Sequence, residues 1–179
     1  MIEWKEQKFN ELNTKELYEI FKLRCEVFVV EQEILYNDFD DKDYKAIHLS
    51  GFKGGELIAY GRIFEKGDYY PNNPGFGRVA VVEKERGNEH GKELVKKCIE
   101  VCDRNFEEKE IKISAQAYLE KFYLDLGFEF REERYMEDGI PHCAMYYNKK
   151  TATPQKHNCF IAVCYKGVYL KGLKPQSKQ

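Results

Sequence analysis

A chain of 179 residues fits one domain and leaves no room for two catalytic ones, since domains commonly run ~100–200 residues. Hydrophobic residues at 42% and aromatics at 15% exceed what a disordered chain carries, while the longest apolar runs, such as Val27 to Val30, fall short of the ~20 residues of a membrane span. The net charge of −2 hides an asymmetry: Gly139 to Gln179 holds seven lysines and no acid, which leaves residues 1–138 with 22 basic and 31 acidic side chains, a balance that argues against nucleic acid as the main partner and suits a cationic one such as an amine.

The first residues, Met1-Ile2-Glu3-Trp4-Lys5-Glu6, mix charges and lack an apolar stretch, which does not resemble a secretory signal and points to the cytoplasm. Ile2, Trp4 and Phe9 with polar residues between them predict a first strand. Asn13 before Thr14-Lys15-Glu16 is an N-cap pattern, and Leu17, Ile20, Phe21, Val27 and Phe28 follow at helical spacing, so a helix is expected over about 14–30. The acidic segment Tyr36 to Lys45 reads as a loop. It is not an EF-hand, because a count from Asp38 finds Asp43 where that motif needs Gly and Leu49 where it needs Glu.

Ala46 to Lys53 and Glu56 to Glu65 alternate around Gly54-Gly55, a two-residue hairpin signal. Phe76 to Val82 is a fourth strand. Gly91 to Phe106 is a helix with Leu94, Val95, Cys98, Val101 and Cys102 on one face, the two cysteines reading as reduced core residues rather than a metal pair. Ile111 to Ala115, a helix over Tyr118 to Leu126, and a second hairpin, Phe128 to Met136 with Ile140 to Tyr147 around Asp138-Gly139, complete the pattern. A meander, then βα and βα units, then a hairpin make an α/β protein with a mixed sheet over residues 1–147. The basic remainder, 148–179, could be an added edge hairpin, a disordered tail or foreign sequence. As a hairpin it could join a neighbour's sheet edge and give a homodimer.

The most informative stretch runs from Gly77 through Val82 and Arg86-Gly87-Asn88-Glu89-His90-Gly91-Lys92. A strand delivers the chain to a turn whose backbone amides precede a helix N-terminus, where free N–H groups and the helix dipole favour an anion. Glycines at 87 and 91 let a phosphate approach the backbone, and Arg86 and Lys92 can add charge. The stretch lacks the Walker and dinucleotide-binding glycine patterns.

Arg86 to Gly91 resembles the pyrophosphate loop of the GNAT superfamily of N-acetyltransferases, commonly Arg/Gln-x-x-Gly-x-Gly/Ala, with Glu89 standing where the middle glycine is usual. Gln116-Ala-Tyr-Leu-Glu-Lys-Phe122-Tyr123-Leu-Asp-Leu-Gly127-Phe128 resembles the superfamily's later segment, with Gln116 in place of its asparagine. Leu23-Arg24-Cys-Glu-Val27 to Gln32, with Asp138-Gly139-Ile140-Pro141-His142, is similar to the ElaA-like branch. The resemblance implies a central twisted mixed sheet flanked by helices, acetyl-CoA as cosubstrate, no metal, and an amine acceptor, a small molecule or a peptide. It implies that Arg86, Gly87, Asn88, Glu89, His90, Gly91 and Lys92 hold the pyrophosphate. Val79, Ala80, Val81 and Gln116 would hold the pantetheine arm, and Tyr123 would be the general acid.

On the acceptor side, Arg24 lies on the apolar face of the first helix, where a buried charge must be paired; it reads either as a structural ion pair or as a substrate contact. Glu31, Gln32, Asp38 and Asp40 could attract a cationic amine or be merely solvated. His48, Glu31 and His142 are the candidates for general base. The competing readings are an acyl-CoA-binding regulator without turnover and an interaction domain whose loop binds nothing.

Overall fold

The computed structural model describes residues 1–132 and 134–149. Strands β1 (Glu3–Lys8), β2 (Ile47–Lys53), β3 (Glu56–Phe64) and β4 (Gly75–Val81) pair in sequence as an antiparallel meander. Gly54 and Gly55 both take positive φ, +60° and +81°, the conformation that a two-residue hairpin turn requires. Helix α1 (Thr14–Arg24) connects β1 to β2 and starts at a capping box. Asn13 Oδ1 accepts the Glu16 N–H at 3.0 Å, and the Glu16 carboxylate accepts the Asn13 N–H at 3.0 Å.

The helix expected over 14–30 is not uniform. Past Arg24 it widens into a π-helical turn, Cys25–Val30, in which Glu31 N–H reaches back to Glu26 O at 2.9 Å. The wider turn presents Val27 and Phe28 toward the sheet while the chain leaves for the acidic loop.

Helix α2 (His90–Asn105) follows β4 and leads to β5 (Glu110–Gln116), which pairs with β4 in parallel. The third predicted helix, expected over Tyr118 to Leu126, is a 3₁₀ turn, Ala117–Leu119, running into α3 (Glu120–Asp125). The expected final hairpin is broken on one side: β6 (Glu129–Phe130) and β7 (Tyr135–Glu137) both pair with the long β8 (Ile140–Asn148). The strand order is β1-β2-β3-β4-β5-β8-β6, a mixed sheet with one parallel neighbour pair.

Each face of the sheet carries its own core. On one side, Leu94, Val95, Cys98 and Cys102 of α2 pack on Ile63, Val81, Ile113, Ala115, Cys143 and Met145. Gly61 is tied to that packing, because a Cβ there would lie 2.9 Å from Cys98 Sγ. On the other side, Ile20 and Leu23 of α1 and Val27 beyond it cover Leu57, Tyr60 and Ala80. The stripes read from the sequence as helix faces are these two layers, and Cys98 and Cys102 of α2 are both fully buried core residues.

β8 runs through Asn148. Lys149 Nζ donates to Cys102 O and Phe106 O, both at 2.9 Å, at the C-terminal end of α2, where a cation opposes the negative end of the helix dipole. The remainder of 148–179, with its expected hairpin or tail, lies outside the described residues.

Candidate active site

The sheet is split where β4 meets β5. These strands share one register pair, Gly75 with Lys112, and beyond it they part, so a cleft lined by Val79, Gln116 and Tyr123 passes between the layers. The backbone at the split is also free to bind. Val82 N–H donates to Ile58 O at 2.9 Å, so antiparallel alternation turns the N–H and C=O of Val81 away from β3, toward the gap. Arg86 Nε takes that carbonyl at 2.8 Å, which leaves the Val81 N–H. Val79 lines the cleft, whereas the side chains of Ala80 and Val81 are buried under α1 and α2 respectively.

On the α2 side the turn has the form that an anion site needs. Gly87 (φ +81°) and Glu89 (φ +63°) both take left-handed backbone. Glu93 N–H, bonded to Glu89 O at 3.0 Å, is the first to find an intrahelical acceptor, so the amides of His90, Gly91 and Lys92 point out of the helix end. Glu89 thus occupies a backbone conformation that suits glycine, which accounts for the residue usual in the motif. Its carboxylate turns outward to Lys92 Nζ at 2.8 Å and offsets that lysine's charge.

Arg86 does not reach into the turn. Its guanidinium folds back onto Val81 O and Glu31 Oε2, the latter at 2.8 Å, which also removes Glu31 from the cleft lining. Asn88 Nδ2 lies 3.4 Å from Glu85 O, and His90 Nε2 lies 3.4 Å from Glu85 Oε2.

Tyr123 stands on the same side, its ring held edge-on by Phe122 and Phe128 at centroid distances of 5.1 and 5.4 Å. Burial raises its phenol pKa well above the ordinary value, so it keeps its proton at neutral pH.

The opposite mouth of the cleft opens on the α1 side. Ile113 and Ala115 of β5 and Cys143 of β8 pack toward α2, so strand alternation turns Ser114, Gln116 and His142 the other way. Gln116 Nε2 donates to Gln32 Oε1 at 3.1 Å and so bridges β5 to the loop after α1. His142 lies across from Gln116 in the β5–β8 register, and its Nδ1 meets Ile140 O at 3.0 Å. A carbonyl only accepts, so Nδ1 carries hydrogen and the neutral ring keeps its Nε2 lone pair. Beside it, Tyr135 Oη donates to Ser114 Oγ at 2.5 Å, and Ser114 donates on to Glu137 Oε2 at 2.6 Å.

Besides Glu31, the proposed acceptor-side residues His48 and Arg24 do not line the cleft. His48 is fully buried, accepts the Tyr60 hydroxyl at Nδ1 (2.7 Å) and donates from Nε2 to Asp43 O (3.0 Å). Both ring nitrogens are committed and burial lowers its pKa, so it has neither access nor a free lone pair for base catalysis. Arg24 is equally buried and forms the structural ion pair: Nε to Asp38 Oδ2 at 2.8 Å, Nη1 to Asp43 Oδ1 at 2.6 Å and Nη2 to Asp38 O at 2.8 Å.

The acidic loop, expected either to attract a cationic amine or to be solvated, is drawn inward by three arginines. Arg62 Nη1 and Nη2 fork onto Asp40 at 2.7 and 2.8 Å, and Arg78 Nε donates to Asp38 Oδ1 at 2.6 Å. Burial alone would raise the Asp38 and Asp40 pKa values, but the arginines win and Asp40 falls to about 2. Arg62 and Arg78 escaped the sequence reading. The available signal was a run of four aspartates, Asp38, Asp40, Asp41 and Asp43, with only Lys42 and Lys45 among them to balance it, facing strands that carry arginine.

A split mixed sheet with an amide-bearing turn and helix beside the split defines the acyl-CoA N-acyltransferase fold of the GNAT type. Comparison with known proteins gives the same answer: residues 10–149 match the family described as acetyltransferase (GNAT) domain. The chain is 42% identical to protein ElaA of Escherichia coli over 147 residues, covering 81% of this chain and 95% of that protein. The crystal structure of E. coli ElaA superposes with a TM-score of 0.76 over 83% of this chain and all of that one, at 40% identity. An acyl-CoA N-acyltransferase from Pseudomonas aeruginosa superposes with a TM-score of 0.77 at 33% identity, covering 82% of this chain and 99% of that one. The chain belongs to the GNAT acetyltransferase family, and membership carries acyl-CoA-dependent N-acyl transfer. Among the described residues no helix is long and apolar enough to cross a membrane, and no cluster of three or more His, Cys, Asp or Glu is placed to hold a metal ion.

Proposed function

We propose that this chain transfers the acetyl group of acetyl-CoA directly to a primary amine, within a catalytic unit spanning residues 1–147 that works in the cytoplasm. The observation that carries the reading is the gap between β4 and β5, with the turn at Arg86 to Lys92 and Tyr123 on one face and His142 on the other. Acetyl-CoA enters from the α2 side, its pyrophosphate against the amides of Gly87 to Lys92 and its pantetheine arm along the backbone of Val79 to Val81 and of Gln116. The amine comes from the α1 side. The two reactants meet in the gap, and binding supplies most of the rate by fixing their approach.

His142 Nε2 takes a proton from the acceptor nitrogen, which attacks the thioester carbonyl. The carbonyl electron pair moves to oxygen, where the Val81 N–H donates to the oxyanion. The intermediate collapses, the C–S bond breaks, and Tyr123 gives its proton to the departing CoA thiolate. A phenol kept protonated by burial suits that role.

Titration with acetyl-CoA followed by a thiol-release assay on pooled primary amines and peptides tests this. The expected result is saturable binding and amine-dependent CoA release that drops by about 10²-fold or more in kcat for Tyr123→Phe and for His142→Gln, with acetyl-CoA affinity retained. Turnover by Tyr123→Phe at the parent rate would remove the general-acid assignment. Binding without turnover on any amine would favour an acyl-CoA-binding regulator.

A further inference from the structure

We infer that Arg78 is a specificity residue that holds a carboxylate on the acceptor, so that the acceptor class is a small amine bearing a carboxylate, as an amino acid does. The inference rests on the acyl-transfer reading above and adds the chemistry of the second substrate.

The backbone is built to deliver this side chain. β3 and β4 slip between Tyr60–Ala80 and Arg62–Gly77, so Arg78 and Val79 together oppose Gly61 alone, a β-bulge. Phe76 and Ala80 would share a face in an unbroken strand, yet Phe76 packs in the α2-side core and Ala80 in the α1-side core. The extra residue lets Phe76 stay inside while Arg78 turns to the acceptor side. Arg78 sits at φ +51°, a left-handed conformation that disfavours any residue with a Cβ, in a bulge position that glycine would fill without strain.

The surroundings hold the guanidinium at the cleft wall without using it up. Nε is bound to Asp38 Oδ1 at 2.6 Å, and Nη2 is 4.0 Å from Asp40 Oδ2, beyond hydrogen-bond range. Among the described residues Nη1 and Nη2 donate no hydrogen bond, although the side chain is only 21% exposed and lines the cleft. Phe28 and Tyr36 flank the cation at 5.8 and 5.5 Å, which fixes its plane and lowers the local dielectric. Arg24 and Arg62 hold the aspartates from behind, so Asp38 supports Arg78 from one edge only. What is left is a pair of donors, Nη1 and Nη2, on a side chain that lines a half-dry cleft, a match for a carboxylate fork. Glu137 and His142 line the same cleft and would face the amine.

The test is steady-state thiol release with acetyl-CoA, comparing each of a set of amino acids with the amine lacking only its carboxylate. The variant is Arg78→Gly, which accepts the positive φ and leaves Asp38 paired to Arg24, and its fold is checked by thermal unfolding. The expected result is a kcat/KM preference of about 30-fold or more for a carboxylated member in the parent, collapsing to a few-fold in Arg78→Gly. A preference that persists in the variant would overturn the assignment. So would turnover confined to amines or peptides without a nearby carboxylate, while leaving the acyltransferase reading intact. No turnover of any amine, in the face of acetyl-CoA binding, would overturn both.

Discussion

Glu89 offers the sharpest test of the proposed cofactor turn, because it is unusual in two separable ways. Its backbone is left-handed, at φ +63°, and it puts a carboxylate, turned outward to Lys92, on the turn whose amides are proposed to take the pyrophosphate. Glu89→Gly changes both, and Glu89→Ala changes only the charge. A residue with a Cβ in this conformation costs about 1–2 kcal/mol. Glycine returns about 0.5–1 kcal/mol of that through its greater freedom in the unfolded chain. Loss of the exposed Glu89–Lys92 pair takes at most ~0.5 kcal/mol more, so Glu89→Gly should lie within ~1 kcal/mol of the parent. Glu89→Ala keeps the strain and loses the pair, and should be less stable than Glu89→Gly.

The charge effect is the same in both variants. A carboxylate and one phosphate charge about 8 Å apart repel by ~0.5 kcal/mol in water and by ~2 kcal/mol at an effective dielectric near 20. The Glu89 side chain is 66% exposed, so the low end applies, and two phosphate charges bring the gain to about 1 kcal/mol, or about fivefold in Kd. Calorimetric titration with acetyl-CoA at low salt should show this tightening in both variants. It should largely vanish in about 1 M salt, where screening acts over ~3 Å. Unchanged or weaker binding in both variants would mean that no phosphate sits near residue 89. Tightening in Glu89→Gly alone would place the effect in the backbone.

Two further outcomes concern the buried network. Arg24→Met leaves Asp38 with Arg78 and Asp43 with Arg62, so the loss should be near the low end for a broken buried pair, about 3 kcal/mol in urea unfolding; a loss below about 1 kcal/mol would mean the loop is held by other contacts. His48 has its pKa lowered by burial, so below ~6.5 the unfolded chain binds a proton that the folded one refuses. Its contribution is complete above that value and is lost as pH falls, by up to about 1.4 kcal/mol per pH unit. Urea unfolding between about pH 7.5 and about pH 5.5 should therefore show a shallower acid decline in His48→Gln, and equal declines would remove the assignment.

What the sequence made legible follows from what periodicity reports. The spacing of Leu94, Val95, Cys98 and Cys102 names a face, and the face proved to be the α2-side core. Gly54-Gly55 and Asp138-Gly139 name turns because their conformations are local. The turn from Arg86 to Lys92 was visible for the same reason, since a strand, glycines and a helix start lie within a few residues. The direction of the Arg86 side chain was not, because its partner Glu31 is set by how the π-helical turn brings residue 31 beside residue 86.

The acceptor side depends still more on distant pairing. Arg24, Arg62 and Arg78 meet Asp38, Asp40 and Asp43 only through strand register and the path of one loop, and a charge run reads as solvated until its partners are known. The bulge leaves no local mark, since Gly77-Arg78 looks like ordinary strand. Its physical trace is a face conflict: Phe76 and Ala80 are both apolar, four apart, and cannot both be explained by one unbroken strand once each is assigned to its own core. One inserted residue therefore decides which side of the sheet Arg78 serves, and with it the charge that the acceptor meets.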